Sequence, residues 1–154
     1  RLCEPYARAL EGQASLILKD DPTRAEELLL TAKEFDPKQD RIHSALGLLY
    51  LNRKDYSKAI DAYQKAIELN PGTADVFFNL GYIYAVRENY SKALEMYSRT
   101  VELAPPFLDE ALFNLALIEA RLGKRKECLK NLKRALEYNP DNEQVKTYLK
   151  RLRA

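Results

Sequence analysis

Four prolines divide the sequence at a nearly constant interval. Pro37, Pro71, Pro105 and Pro140 stand 34, 34 and 35 residues apart, and each follows an apolar or aromatic helical pattern. A repeated unit of this length predicts stacked helical hairpins, because one hairpin is too small to bury its apolar face alone. Proline lacks an amide N–H and disfavours helix in the residue before it, so each proline predicts the end of a hairpin.

Each unit carries the same two helical stripes. The first stripe recurs as Leu46, Gly47 and Tyr50, and again as Leu80, Gly81 and Tyr84. After a polar break, the second stripe recurs as Ala59, Tyr63 and Ala66, and again as Ala93, Tyr97 and Thr100. Small residues at these positions allow two helices to approach closely. We therefore expect paired helices, with Asp21 and Asp141 among the residues that start them.

This arrangement of Leu-Gly-x-x-Tyr, Ala-x-x-x-Tyr-x-x-Ala and a final proline resembles the tetratricopeptide repeat (TPR) family. The segment 79–105, with NLGYIY, NYSKALEMY and ELAP, is close to the family consensus. The first unit is degenerate, since Gly12-Gln13 stands where Leu-Gly is expected. The resemblance implies an all-α, right-handed α-solenoid that forms a single domain over 1–154. Its expected parts are repeats at about 6–39, 40–73, 74–108 and 109–140, and a capping helix at about 141–153.

Composition and charge exclude several classes of protein. The net charge is +2, and no run of about 18 uncharged apolar residues could form a transmembrane helix. The start of the sequence lacks the pattern of a signal peptide, and it begins with Arg1, which suggests a fragment or a processed product. We expect a soluble protein, with the cytoplasm as the favoured compartment.

No sequence feature predicts catalysis or a cofactor. The chain lacks a glycine-rich phosphate loop, a nucleophile elbow and a His-Glu-x-x-His motif. His43 is its single histidine, at a position where these repeats place a bulky core residue, and two cysteines with one histidine cannot complete a zinc site. We predict a protein that is not an enzyme and that has no catalytic residues, metal site or cofactor.

A second apolar stripe on the first helices predicts a binding surface. It contains Phe78 and Tyr82 in one unit and Phe113 and Leu117 in the next, with Leu48 at the equivalent position before them. By resemblance to the TPR family, these positions face a concave groove that receives peptides. Packing against the neighbouring hairpin is the alternative for each of them.

Polar residues complete the predicted groove. Asn79 and Asn114 are candidates for bonding the backbone of a peptide, and Arg41 and Arg121 lie at the edge. The resemblance thus implies a scaffold or adaptor that binds an apolar or amphipathic segment of a partner protein. The carboxylate clamp of TPR co-chaperones is not expected. The clamp has five positions, and only Asn79 carries the residue type that the clamp requires.

Two alternative functions remain open. The first hairpin or the terminal helix could pair with another copy and form a homo-oligomer. Residues 121–154 carry eleven Lys/Arg against four Asp/Glu, so this region could attract an acidic partner. Nucleic acid is the less favoured ligand, since no aromatic residues interleave with these charges. The basic residues are Arg121, Lys124, Arg125, Lys126, Lys130, Lys133, Arg134, Lys146, Lys150, Arg151 and Arg153.

Overall fold

The computed structural model describes residues 3–154, and every regular element in that range is an α-helix. The predicted all-α architecture is therefore confirmed for this part of the chain. The helices are α1 (Cys3–Ile17), α2 (Pro22–Phe35), α3 (Asp40–Asn52), α4 (Tyr56–Leu69), α5 (Ala74–Val86), α6 (Tyr90–Glu102), α7 (Leu108–Arg121), α8 (Arg125–Tyr138) and α9 (Glu143–Arg153). None of these helices is both long and apolar enough to cross a membrane.

The described residues form two compact units that divide between residues 76 and 77, and this boundary falls within α5. In unit 1, α1 packs on α2 and α3 packs on α4, around a core that includes the fully buried Leu29, Ile42 and Leu49. In unit 2, α7 packs on α6 and α8, and α9 packs on α8. The fully buried Leu132 and Val145 belong to the core of this second unit.

Two glycines allow the helices of a hairpin to approach closely. A Cβ atom added to Gly47 would lie 2.5 Å from Cδ1 and Cε1 of Tyr63, and one added to Gly81 would lie 2.8 Å from the same atoms of Tyr97. Both distances are well below the 3.5–4.0 Å that two carbon atoms prefer. The recurrence of Leu-Gly opposite Tyr is therefore a steric requirement of the hairpin.

The three hairpin turns after α3, α5 and α7 share one geometry. Lys54, Glu88 and Gly123 occupy equivalent places with φ of 60°, 58° and 74°. In each turn the next amide N–H donates to a carbonyl five residues earlier, as in Asp55 to Tyr50 at 2.9 Å. This is the Schellman ending of a helix, which satisfies a terminal carbonyl and reverses the chain.

Side-chain caps fix the starts of several helices. The Asp21 carboxylate accepts the backbone N–H of Arg24 at 3.0 Å, which confirms the predicted cap of α2. The prediction of Asp141 as a cap is wrong, because the Asn142 side chain instead accepts the N–H of Val145 at 3.1 Å. Asn142 is also held by the Asp109 carboxylate, to which its amide donates at 2.7 Å. That contact orients the side chain that caps α9.

Candidate functional site

Unit 2 contains a groove of about 560 Å³ built by α5, α6, α7 and α9. Its size falls in the range of pockets that hold ligands. Most of the side chains that line it are aromatic or aliphatic. They are Tyr82, Ala85, Val86, Tyr90, Tyr97, Asn114, Leu117, Ile118, Ala120, Arg121 and Tyr148. We call this surface the unit 2 groove.

The apolar wall of the unit 2 groove combines exposed and buried side chains. Tyr82 and Val86, four residues apart on α5, are 48% and 45% exposed. Tyr97 is only 3% exposed, and its burial, with smaller contributions from Tyr82 and Glu110, raises the pKa of its hydroxyl above the usual 10.0. Tyr97 therefore stays neutral at physiological pH. The groove thus has a fixed base and side chains at its mouth that a ligand can cover.

Polar groups lie at the edge of this apolar surface. Asn114 is half-buried on α7, and Arg121 is exposed at the last residue of the same helix. Arg121 forms no ion pair with any of residues 3–154. An amide and an unpaired guanidinium beside aromatic rings can bond backbone or acidic groups while the rings bury apolar ones.

The structure brings four of the predicted site residues together. Tyr82, Asn114, Leu117 and Arg121 all line the unit 2 groove. Asn79 is half-buried on α5 and is not among its lining residues.

The two predicted phenylalanines pack against other rings instead of lining the unit 2 groove. The Phe78 ring makes edge-to-face contacts with Tyr97 at 5.6 Å and Phe107 at 5.3 Å. The Phe113 ring meets Tyr148 edge-on at 6.0 Å and lines a separate depression of about 380 Å³. Both side chains remain half-buried, so a direct role in binding stays a prediction for each.

The other predicted residues, Leu48 and Arg41, lie on α3 in unit 1. Leu48 is 39% exposed. The Arg41 guanidinium lies 3.7 Å from the Glu11 carboxylate, which is buried and also accepts a hydrogen bond from Ser15 at 3.0 Å. Arg41 therefore has an intramolecular partner, and its role toward a ligand stays a prediction.

Val86, Tyr90 and Tyr148 are among the groove residues that the sequence interpretation missed. Val86 follows Tyr82 by four residues, so the stripe containing Tyr82 could have been extended to it. Tyr148 comes from the capping helix, which lies outside the repeated hairpins. Tyr90 is the first residue of α6, and no pattern in the sequence distinguishes it.

His43 and the potential metal ligands give no site of their own. His43 is 3% exposed, and its Nε2 lies 2.8 Å from the Pro37 carbonyl oxygen, which it can reach as a donor. Within residues 3–154, no three His, Cys, Asp or Glu side chains are grouped so that they could hold a metal ion. The unit 2 groove, which combines apolar and polar side chains, is the candidate binding site of unit 2.

Several solved structures are similar to this chain. A structure from the functional characterization of Pseudomonas aeruginosa pilF has a TM-score of 0.82 and 20% identity over 94% of this chain. This chain spans 66% of that protein, just under two thirds of its length. The crystal structure of MamA has a TM-score of 0.80 and 27% identity, and the match covers 92% of this chain and 83% of MamA. PilW, described as a widely conserved type IV pilus biogenesis factor, has a TM-score of 0.77 and 20% identity, with 90% of this chain and 64% of PilW covered.

A comparison with curated proteins finds no match. The tetratricopeptide repeat models, in contrast, match residues 41–72, 74–107 and 109–142, which together make up well over half of the chain. These matches and the solved structures confirm the predicted fold class, an all-α solenoid of TPR hairpins. They also support a protein–protein interaction scaffold, in a family whose members are generally not catalytic. The chain belongs to the tetratricopeptide repeat family.

Proposed function

We propose that this chain is a scaffold or adaptor that binds an apolar or amphipathic segment of a partner protein in the unit 2 groove. The observation that carries the proposal is the pair of half-exposed side chains, Tyr82 and Val86, at the mouth of a groove of about 560 Å³. Leu117 adds a half-buried aliphatic surface from α7. A partner side chain that covered these groups would remove apolar surface from water on both sides.

The aromatic content of the groove favours a peptide over a flat protein surface. A tyrosine buries a large area and loses little side-chain entropy on binding, because it has few rotatable bonds. Tyr82 also carries a hydroxyl that can stay in contact with water or with a peptide backbone. Four tyrosines around one groove therefore suit one or two protruding apolar side chains of an extended or helical segment.

Asn114 and Arg121 supply the polar part of the proposed site. The Asn114 amide can donate to and accept from a peptide backbone, and the unpaired Arg121 can hold a carbonyl or carboxylate. A segment that combines apolar residues with an acidic residue would satisfy both the apolar and the polar lining of the groove. A purely apolar surface would show no preference for an acidic residue, whereas the unit 2 groove should.

The proposal is tested with peptides selected from a random display library on the wild-type protein. Their affinities are then measured by fluorescence anisotropy for the wild type and for the double variant Tyr82→Ala, Leu117→Ala. We expect the double variant to weaken binding by about 2 kcal/mol, or roughly thirtyfold in Kd. Helicity should be unchanged, because both side chains are at least partly exposed.

A matched control removes an exposed leucine outside the groove. Leu30 on α2 is 42% exposed, so Leu30→Ala should leave the affinity unchanged. Equal affinity of the wild type and the Tyr82, Leu117 double variant would exclude the unit 2 groove as the site.

Self-association through the first hairpin is a second candidate function. It is favoured by Tyr6, Leu16 and Phe35, which are 51%, 83% and 42% exposed on α1 and α2. The rings of Tyr6 and Phe35 lie edge-to-face at 5.0 Å and form one apolar patch. Light scattering over a range of protein concentrations tests it: a dimer that is lost in Tyr6→Ser supports assembly, and a monomer at every concentration excludes it.

A further inference from the structure

A second recess of about 480 Å³ lies between α8 and α9, apart from the residues of the unit 2 groove. Lys133 and Glu137 line it from α8, and Lys146, Lys150 and Arg153 line it from α9. Its apolar lining consists of Leu136, which is half-buried, and Leu149, which is 6% exposed. We call this surface the basic cleft.

Most of the cations in the basic cleft are not held in an ion pair. Lys146 lies 2.9 Å from the Glu143 carboxylate, but Lys133, Lys150 and Arg153 form no ion pair with any residue from 3 to 154. Glu137 is the one acidic residue in the lining. Even with the Glu143 carboxylate paired to Lys146, cations outnumber carboxylates around this apolar surface, and the recess is complementary to a segment of opposite charge.

A recess of the same size in unit 1 shows that this imbalance is not a general property of the repeats. It is lined by Lys33, Lys58 and Lys65, and it also contains Asp61. Lys58 lies 3.8 Å from the Asp55 carboxylate, and Lys65 lies 3.1 Å from that of Glu68. Two of the three lysines are thus already paired there, whereas three of the four cations in the basic cleft are not.

We infer that the basic cleft binds an acidic protein segment that inserts an apolar side chain between α8 and α9. The leucines favour a protein over a nucleic acid, because a polyphosphate has no apolar group to bury against Leu136. No aromatic side chain lines the basic cleft, so bases have no surface on which to stack. Glu137 would also repel a continuous row of phosphates, whereas separate acidic side chains can be spaced around it.

The probe for the test is a fluorescein-labelled peptide in which pairs of Glu flank single Leu residues. Its affinity is measured by anisotropy at about 0.05 M and about 0.5 M salt, since contacts between exposed charges weaken as salt screens them. We expect Lys133→Gln, Lys150→Gln to raise the Kd about tenfold at low salt. A peptide with Ser in place of each Leu should bind more weakly than the probe, because it cannot use the apolar lining.

The control variant Lys126→Gln, Lys130→Gln removes the same charge from exposed positions of α8 that do not line the basic cleft. It should bind the probe nearly as well as the wild type. Equal weakening by the two double variants would mean diffuse attraction and would overturn the inference. Tyr82→Ala, Leu117→Ala should leave probe binding unchanged, so the unit 2 groove and the basic cleft can fail independently.

The same variants identify other occupants. Single-stranded oligo-dT or phosphatidylserine vesicles that bind more tightly than the probe, and that lose affinity with Lys133→Gln, Lys150→Gln, would overturn the protein-segment assignment. Self-association that this variant abolishes would make a second copy the occupant and would also overturn it. Circular dichroism of each variant confirms that the helices are retained.

Discussion

Alanine at Gly47 is expected to destabilise the protein even though alanine is the better helix former. The added Cβ would lie 2.5 Å from Cδ1 and Cε1 of Tyr63 and 2.9 Å from its Cγ. Tyr63 is 1% exposed, so its ring cannot turn out into water without disturbing the core. Restoring an ordinary carbon–carbon distance requires the two helices or the ring to shift by about 1 Å.

The size of the effect follows from two opposing contributions. Replacing glycine by alanine within a helix favours folding by about 1 kcal/mol. Overpacking a rigid core costs about 1–3 kcal/mol, and the upper end applies here because the contact is with a buried ring. Gly47→Ala should therefore lower the free energy of unfolding by about 2 kcal/mol.

Gly12 provides a matched control in the same unit. A Cβ added to Gly12, within α1, meets nothing within 4 Å. Gly12→Ala should therefore raise the free energy of unfolding by about 1 kcal/mol. The two variants should then differ by about 3 kcal/mol, or roughly 6–12 °C in Tm for a chain of this size.

Urea unfolding followed by far-UV circular dichroism measures both variants beside the wild type. The slope of the transition should be unchanged, since neither substitution alters the surface that unfolding exposes. A Gly47→Ala protein at least as stable as the wild type would refute the steric explanation of the Leu-Gly position. If Gly12→Ala did not raise the free energy of unfolding, the contribution assigned to helix propensity would be refuted.

Two further predictions concern a backbone conformation and a buried carboxylate. At the equivalent turn positions with positive φ, Gly123→Ala should lower stability by about 1 kcal/mol, because its Cβ meets no other atom and only backbone strain acts. Lys54→Gly should raise the free energy of unfolding by less than about 1 kcal/mol, since glycine also adds entropy to the unfolded state. Urea midpoints measure the stability of both variants. A Gly123→Ala protein as stable as the wild type would contradict the strain argument. Glu119 is 6% exposed, and burial raises its pKa above the usual 4.5 despite the hydrogen bonds that it accepts from Asn131. The contribution of Glu119 to stability is therefore fully present below pH 4.5 and is lost as the pH rises through the folded-state pKa. Glu119→Gln should gain stability relative to the wild type between pH 4 and pH 7. Tm measurements of both proteins across this range test the prediction, and a difference in Tm that stays constant would contradict it.

The helical hairpins could be predicted from the sequence because their determinants are local and repeated. The proline interval, the small residues at the crossings and the polar breaks each specify one part of a hairpin. The cap of α9 could not be chosen in this way, since Asp141 and Asn142 are both good capping residues. The Asp109 carboxylate, which lies more than thirty positions earlier in the chain, accepts hydrogen bonds from Asn142 and Asn139 and so helps to fix the turn.

The candidate site could be predicted only in part, for a related reason. Tyr82 and Leu117 occupy positions that the hairpin does not need, so their partial exposure follows from the repeat itself. The surroundings of Phe78 and Phe113 do not, because Phe107 lies in the connection before α7 and Tyr148 lies on α9. Neither ring belongs to the recurring helical stripes, and both partly cover phenylalanines for which the pattern left groove exposure and packing equally open.

The positions of Leu48, Tyr82 and Leu117 indicate how such a repeat acquires specificity. They are equivalent in three successive repeats, and each keeps part of its side chain in contact with water. The residues around them, such as Gly47 and Gly81, are constrained by the close approach of the helices and can vary little. A change at the half-exposed Tyr82 should cost little stability, since substitutions at the surface usually change it by less than about 0.5 kcal/mol. Leu stands at the equivalent position of the two neighbouring repeats. Replacing Tyr82 by Leu would therefore alter the ligand that the unit 2 groove prefers while the fold is retained.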